Sequence, residues 1–440
     1  MSGPKTSEYT LTPEQRANLN AQNRCDSSIL ACIERIRVLQ NQLSVSLGSV
    51  QIYDNCGNDE SVAFTNRLKE KMSEIESLKK TLSDRFDTMS GYQRPGVITI
   101  SDEELSRKKA ILEKLNTVKK ETTKLLKDVE GCIKQSAELK SQISSDIQEN
   151  LGDAFSLSWD VPQVPDTPVV KDDITTTLIS LLSTPTLPLE LRVKVQNAID
   201  KANSIHNDDF IKNFNAVTVK PLIDECQDYI KNIEIYGAEF EELEAEYKIL
   251  CADAHITPKM FTMSESGIAE LKAEISKLEA EALENSEQEY IAEAIDEVME
   301  EMGYDLIGSR EVTKKSGKRF RDELYTFSEG TAVNIRYDNQ GKIAMELGGI
   351  DKTDRLPSSS EASRLEDEMV AFCDKFTEFE KRLAAKGIVC KNRVRHLPPK
   401  AEYAQIINSS DYDMKTEVES FKAERRSARG EQKKQHRNEG

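Results

Sequence analysis

The chain has 440 residues, of which 38% are hydrophobic, 31% charged and only 6% aromatic, and its formal net charge is −18. These proportions exclude one large globular core and suit long helices that each bury a narrow stripe. The acidic balance also argues against broad binding to a nucleic-acid backbone, which needs a surplus of Lys and Arg on the contacting face.

Residues 1–11 are polar and expected to be disordered, and MSGPKTSEYTLTPEQ contains no apolar core that could serve as a signal peptide. No later window approaches the roughly 18 apolar residues of a membrane span, so a cytoplasmic protein with no membrane association is expected. Eight cysteines are scattered without a C-x-x-C pair, which points to reduced, buried thiols.

Helices are expected through 12–151. Thr12-Pro13-Glu14-Gln15 supplies an N-cap, a proline at the first helical position and a capping-box residue. Ile29, Cys32, Ile36, Leu39 and Leu43 then recur in steps of three and four, and Leu68, Ile75, Leu82 and Phe86 mark a second helix after a polar turn. Ser101-Asp102-Glu103-Glu104 opens a third. In it Ile111, Val118, Leu125, Cys132 and Leu139 interleave with Leu115, Thr122, Val129, Ser136 and Ile143, two series of period seven that form a coiled-coil seam. Such seams imply helical hairpins within the chain or a homo-oligomer between chains.

The segment 152–188, rich in proline and holding the single tryptophan Trp159, reads as a linker. Helical or coiled-coil structure is expected again over 189–286, with Leu191, Val195, Ile199 and Ala202 on one face. Cys226, Tyr229, Ile233, Tyr236, Phe240, Leu243, Tyr247 and Leu250 lie on another. Between Glu239 and Met302 stand nineteen acidic and four basic residues, a solvated face or a docking surface for a basic partner.

The period changes at 287–408. Ile291, Ile295, Val298 and Met302 form a helical face closed by Gly303, and alternating runs follow over Asp305–Thr313, Phe320–Phe327 and the hairpin AVNIRYDNQGKIAMEL. A helix from near Glu361 carries Leu365, Met369, Phe372, Phe376, Phe379 and Leu383. The expected fold class is therefore mainly α, with antiparallel helical hairpins or coiled coil followed by a small C-terminal α+β domain. That domain reads as helix, four-stranded antiparallel meander, helix, with both helices on one face of the sheet. Ile388–Val394 adds a candidate edge strand, and 409–440 reads as a charged flexible tail.

No metalloprotease, dinucleotide, nucleophile-elbow or zinc spacing is present, so no catalytic residue, cofactor or metal ligand is assigned. The leading expectation is a non-catalytic scaffold or adaptor that docks a partner protein through the C-terminal domain, with Phe372, Phe376 and Phe379 as docking or core residues. A nucleic-acid-binding accessory subunit is the alternative. It would use Arg310, Lys314, Lys315, Lys318, Arg319 and Arg321 on the first hairpin, a second basic group of Lys391, Arg393, Arg395 and His396, and Tyr325 and Phe327 for stacking. A cryptic hydrolase is a third and weaker reading.

Overall fold

The computed structural model describes residues 3–51, 59–154, 169–182, 184, 187–205, 207–313, 319–338 and 341–414. The chain forms two units, one built from Met1–Ile29, Gly91–Glu113 and Lys277–Gly440 and the other from Leu30–Ser90 and Lys114–Ser276. In chain order come β1 (Lys5–Leu11), α1 (Pro13–Ser49), α2 (Asp59–Asp87), α3 (Asp102–Ala154), α4 (Val169–Leu182), α5 (Leu189–Ser204) and α6 (Asp208–Phe214). A π-helical turn, Asn215–Val219, leads into α7 (Lys220–Asp253), and α8 (Glu265–Glu301) follows. The remainder is β2 (Leu306–Thr313), β3 (Arg319–Ser328), β4 (Thr331–Asp338), β5 (Lys342–Asp351), α9 (Ser359–Ala385), β6 (Ile388–His396), β7 (Ile406–Asn408) and β8 (Asp413–Met414). No helix among the described residues is long and apolar enough to cross a membrane.

The all-helical unit buries the described part of the α3 seam within one chain. Leu115, Val118, Thr122, Leu125, Val129, Cys132 and Ser136 of α3 are all buried, as the interleaved series of seven requires. Thr122 donates its hydroxyl back to the Val118 carbonyl at 2.8 Å, so this polar seam position costs no unpaired group. Ion pairs flank the apolar contacts: Arg85 with Glu121 at 2.6 Å, Lys119 with Glu242 at 2.6 Å, and Arg35 with Glu241. The Tyr247 hydroxyl, expected to need a partner, accepts the Lys259 backbone N–H at 3.2 Å. The α3 seam from Leu115 to Ser136 is thus covered by the chain's own helices, whereas Tyr229, Ile233, Tyr236 and Leu243 of α7 are only partly buried.

Val169–Leu182 corrects the linker expectation. The sequence VVKDDITTTLISLL is β-branched and follows several prolines, features that weigh against a helix. Burial decides otherwise: Ile174, Leu178 and Leu181 fall at helical spacing and enter a cluster with Leu191, Val195, Ile199, Phe214 and Cys226. Residues 155–168, including Trp159, lie outside the described residues.

In the mixed unit the expected meander β2-β3-β4-β5 is present in antiparallel register. It is extended to eight strands in the order β6-β1-β5-β4-β3-β2-β8, with β7 parallel to β5. The N-terminal strand corrects the expectation of a disordered 1–11. Lys5, Ser7, Tyr9 and Leu11 alternate inward, but only two of the four are apolar, so the period-two signal was hidden in the composition. α8 and α9 pack on one sheet face, where Ile291, Ile295 and Val298 meet Tyr325, Val333, Ile335, Met345, Leu365, Phe376 and Phe379 in one core. The opposite face is smaller and is covered by the C-terminal residues Ile407 and Tyr412 over Leu324 and Ala332.

Turns follow the local chemistry. Gly303, Gly330, Gly341 and Gly387 all have positive φ, which other residues adopt only with strain. α9 opens with the capping box Ser358/Glu361, as the serine-rich turn before it suggests. A buried ion pair, Lys108 Nζ to Asp26 at 2.9 Å, joins α3 to α1, and Asp26 also accepts the hydroxyl of Tyr92 in the loop before α3.

Candidate functional site

The sheet of the mixed unit carries charge on both faces, and the pleat decides which residue goes where. On β3, Arg321, Glu323 and Tyr325 alternate toward α8, while Asp322 points the other way. The basic hairpin read from the sequence is therefore split. Arg310 and Arg321 stand on opposite faces, Lys314, Lys315 and Lys318 lie outside the described residues, and of Arg319 only the backbone is described.

On the helix face Arg321 pairs with Glu323 at 2.9 Å and lies over the Tyr337 ring at 4.6 Å. The Tyr325 hydroxyl sits 3.1 Å from Glu323 Oε2 and also bonds Asp296 of α8, which accepts the Tyr337 hydroxyl at 3.3 Å. One phenol proton cannot serve two carboxylates at once. Burial first, and the negative Glu323 second, push the Asp296 carboxyl up to about 8, so Asp296 is the member that holds the extra proton near neutrality. The cluster then reads as a neutral chain: protonated Asp296, Tyr325, ionised Glu323 and Arg321. Burial alone would lower the Arg321 guanidinium, but Glu323 and its neighbours hold it above its usual range.

On the outer face Asp322 is fully buried and accepts from two arginines. Arg336 binds it at 2.7 and 3.0 Å, and Arg310 at 2.9 Å. Arg310 also reaches Asp411 at 3.1 Å and lies over the Tyr412 ring at 4.5 Å, so it fastens the C-terminal segment to the sheet. Such paired, charge-assisted contacts fix register and engage both Arg310 and Arg336 internally.

No metal-binding or catalytic arrangement was assigned from sequence, and among the described residues no group of three or more His, Cys, Asp or Glu is placed to hold an ion. The chain matches no family model, curated protein or solved structure.

The aromatic residues of α9 are structural. Phe372, Phe376 and Phe379 are 5%, 5% and 2% exposed, so the choice between docking and core falls to core. Tyr325 is wholly buried and Phe327 packs on Tyr304 and Phe372, which removes both from any stacking role. Lys5, absent from the sequence reading, places its ammonium 3.6 Å from the Phe376 ring centroid. Ser7 is hydrogen-bonded to His396 at 2.9 Å, and Glu287 of α8 accepts from Thr10 Oγ1 at 2.6 Å, Leu11 N at 2.9 Å and Arg16 Nε at 2.8 Å. Burial opposes charge on Glu287, yet these bonds outweigh it and hold the carboxyl below its usual range.

The second basic group lies on β6, the strand at the far edge of the sheet from β2 and β8. Five strand spacings separate β6 from β2, about 24 Å, so the two basic groups cannot act as one patch. Within β6, register slips against β1 leave Lys391 and Val394 without a β1 partner. Arg393 thereby turns toward α9 and pairs with Glu380 at 2.8 Å, while Lys391 and Arg395 remain exposed.

Proposed function

We propose that the protein is a non-catalytic coiled-coil scaffold or adaptor subunit that docks a partner protein through its C-terminal α+β domain. The observation that carries this reading is the contrast within that domain. Its chemically active groups are spent on one another, in the Asp296–Tyr325–Glu323–Arg321 chain and in the Asp322 arginine pair, whereas among the described residues no strand pairs with the outer edge of β6. Groups satisfied internally specify a fold; an uncovered edge is where a second protein gains contact.

The nucleic-acid reading draws less support, because Arg310 and Arg321 are neutralised on opposite faces and, of the two aromatics proposed for stacking, Tyr325 is buried and Phe327 is packed on Tyr304 and Phe372. The shifted Asp296 carboxyl is the feature closest to acid/base chemistry, but its partners are the chain's own side chains, which gives the hydrolase reading nothing to act on.

The test is cross-linking mass spectrometry on the intact chain purified from its native host at moderate salt, with the complex mass from light scattering. The adaptor reading expects a stoichiometric protein whose cross-links concentrate on residues 287–408. Cross-links confined to the helices before residue 265 would remove the docking role from the domain, and stoichiometric nucleic acid released by salt would favour the alternative.

A further inference from the structure

β6 ends the sheet on the side of the N-terminal strand, and five consecutive residues, Lys391 to Arg395, are exposed. Two kinds of side chain share this strip. Val389 and Val394 are 39% and 47% exposed, and Lys391 and Arg395 enter no ion pair among the described residues. Within the strip Arg393 is paired with Glu380, and elsewhere in the same unit the arginines at 310, 321, 336, 355 and 382 are paired with carboxylates. The nearest acid across the ladder, Glu8 opposite Asn392, is engaged by Lys342 at 3.8 Å.

Resting on the adaptor reading above, we propose that this edge is the docking surface itself and that its occupant is a short, acidic, extended segment of the partner protein bearing apolar residues between its carboxylates. Charge complementarity selects the acid, and the two valines select the apolar positions. Register sets the spacing. Asn392, next to the bulged Lys391, pairs with Glu8 and Arg395 pairs with Thr6, two positions and about 7 Å along β1, so matching carboxylates belong at positions i and i+2, which share one face of an extended chain. The bulges at Lys391 and Val394 interrupt the edge, so a long strand cannot add along all of β6; the segment is held mainly by its side chains over one short stretch.

The competing account is that Lys391 and Arg395 only guard an edge strand against pairing with other chains. A fluorescein-labelled extended peptide, Val-Thr-Glu-Val-Glu, titrated with the full chain at low ionic strength separates the two by anisotropy. The proposal expects saturable binding that weakens about tenfold in the double variant Lys391→Glu/Arg395→Glu and falls with added salt. A composition-matched peptide with its two glutamates adjacent should bind several-fold more weakly. No binding, or equal binding by both peptides and by the double variant, overturns the proposal and leaves the cations as guards. A control variant, Lys352→Glu at the end of β5, should leave binding unchanged. If the peptide fails while a native partner still cross-links to residues 287–408, the adaptor reading stands and only this surface falls.

Discussion

At the scale of single residues, the sheet shows why counting charges along a sequence misleads. Arg310, Arg319 and Arg321 crowd one hairpin in the sequence, yet Arg310 and Arg321 answer different carboxylates on different faces. The missing information was the partner: Asp322 and Glu323 are adjacent in sequence, and only the pleat sends them apart. The Asp296 proton gives this arrangement a measurable signature. Its folded-state affinity is raised to about 8, so the folded chain holds a proton that the unfolded chain releases in the ordinary carboxylate range. Stability should therefore fall as pH rises from about 4 toward about 8, and level off beyond. Asp296→Asn keeps the neutral hydrogen-bonding shape and should flatten that slope in denaturant midpoints recorded between about pH 5 and about pH 9; an unchanged slope would place the proton elsewhere. Glu287 has the opposite sign. Glu287→Ala orphans the Leu11 N–H, Thr10 and Arg16 together, and should cost about 2–3 kcal/mol, with faster amide exchange at Leu11 as its local mark.

At the scale of elements, helices with strong periods were legible to within a few residues. α3 was read from two interleaved series, and every described inner position from Leu115 to Ser136 is buried. The C-terminal meander was equally plain, because Val333, Ile335, Ile343, Met345 and Leu347 alternate cleanly. What escaped were elements whose inward residues are polar or whose composition favours another structure. β1 hides behind Lys5 and Ser7, and α4 behind threonines and valines; in both, tertiary contacts override local preference. β6 was legible as the edge strand Ile388–Val394, but the direction of its side chains was not. Plain alternation would put Lys391, Arg393 and Arg395 on one face, but two slips in register send Arg393 toward α9. For α4 the sharp comparison is between neighbours. Leu178→Ala, at a position with no exposure, should cost about 2–5 kcal/mol, whereas Ile179→Ala, half-exposed, should change stability by less than about 1 kcal/mol. Equal effects in urea titrations would mean that this segment is not packed as described.

At the scale of the whole molecule, domain boundaries drawn along the sequence do not follow the fold. The division expected at 287 severs the mixed unit from its own first strand, since that unit also contains Met1–Ile29 and Gly91–Glu113. Lys277–Gly440 produced alone should therefore be poorly soluble, with β5 and β6 deprived of their shared neighbour. Supplying Met1–Ile29 as a separate peptide should recover soluble protein, with the peptide retained through gel filtration; recovery without the peptide would show that β1 is dispensable. The same topology sets a clock during synthesis. β1 leaves the ribosome before the strand β5 that it pairs with, which begins at Lys342, more than three hundred residues later. At typical elongation rates that is a wait of roughly 15–70 s. In that interval seven residues that end as an interior strand of the sheet lack both of their strand partners, β5 and β6, while the intervening helices can already fold. Their polar inward positions, which concealed the strand from a reading of the sequence, also keep it from adhering to the wrong surface while it waits.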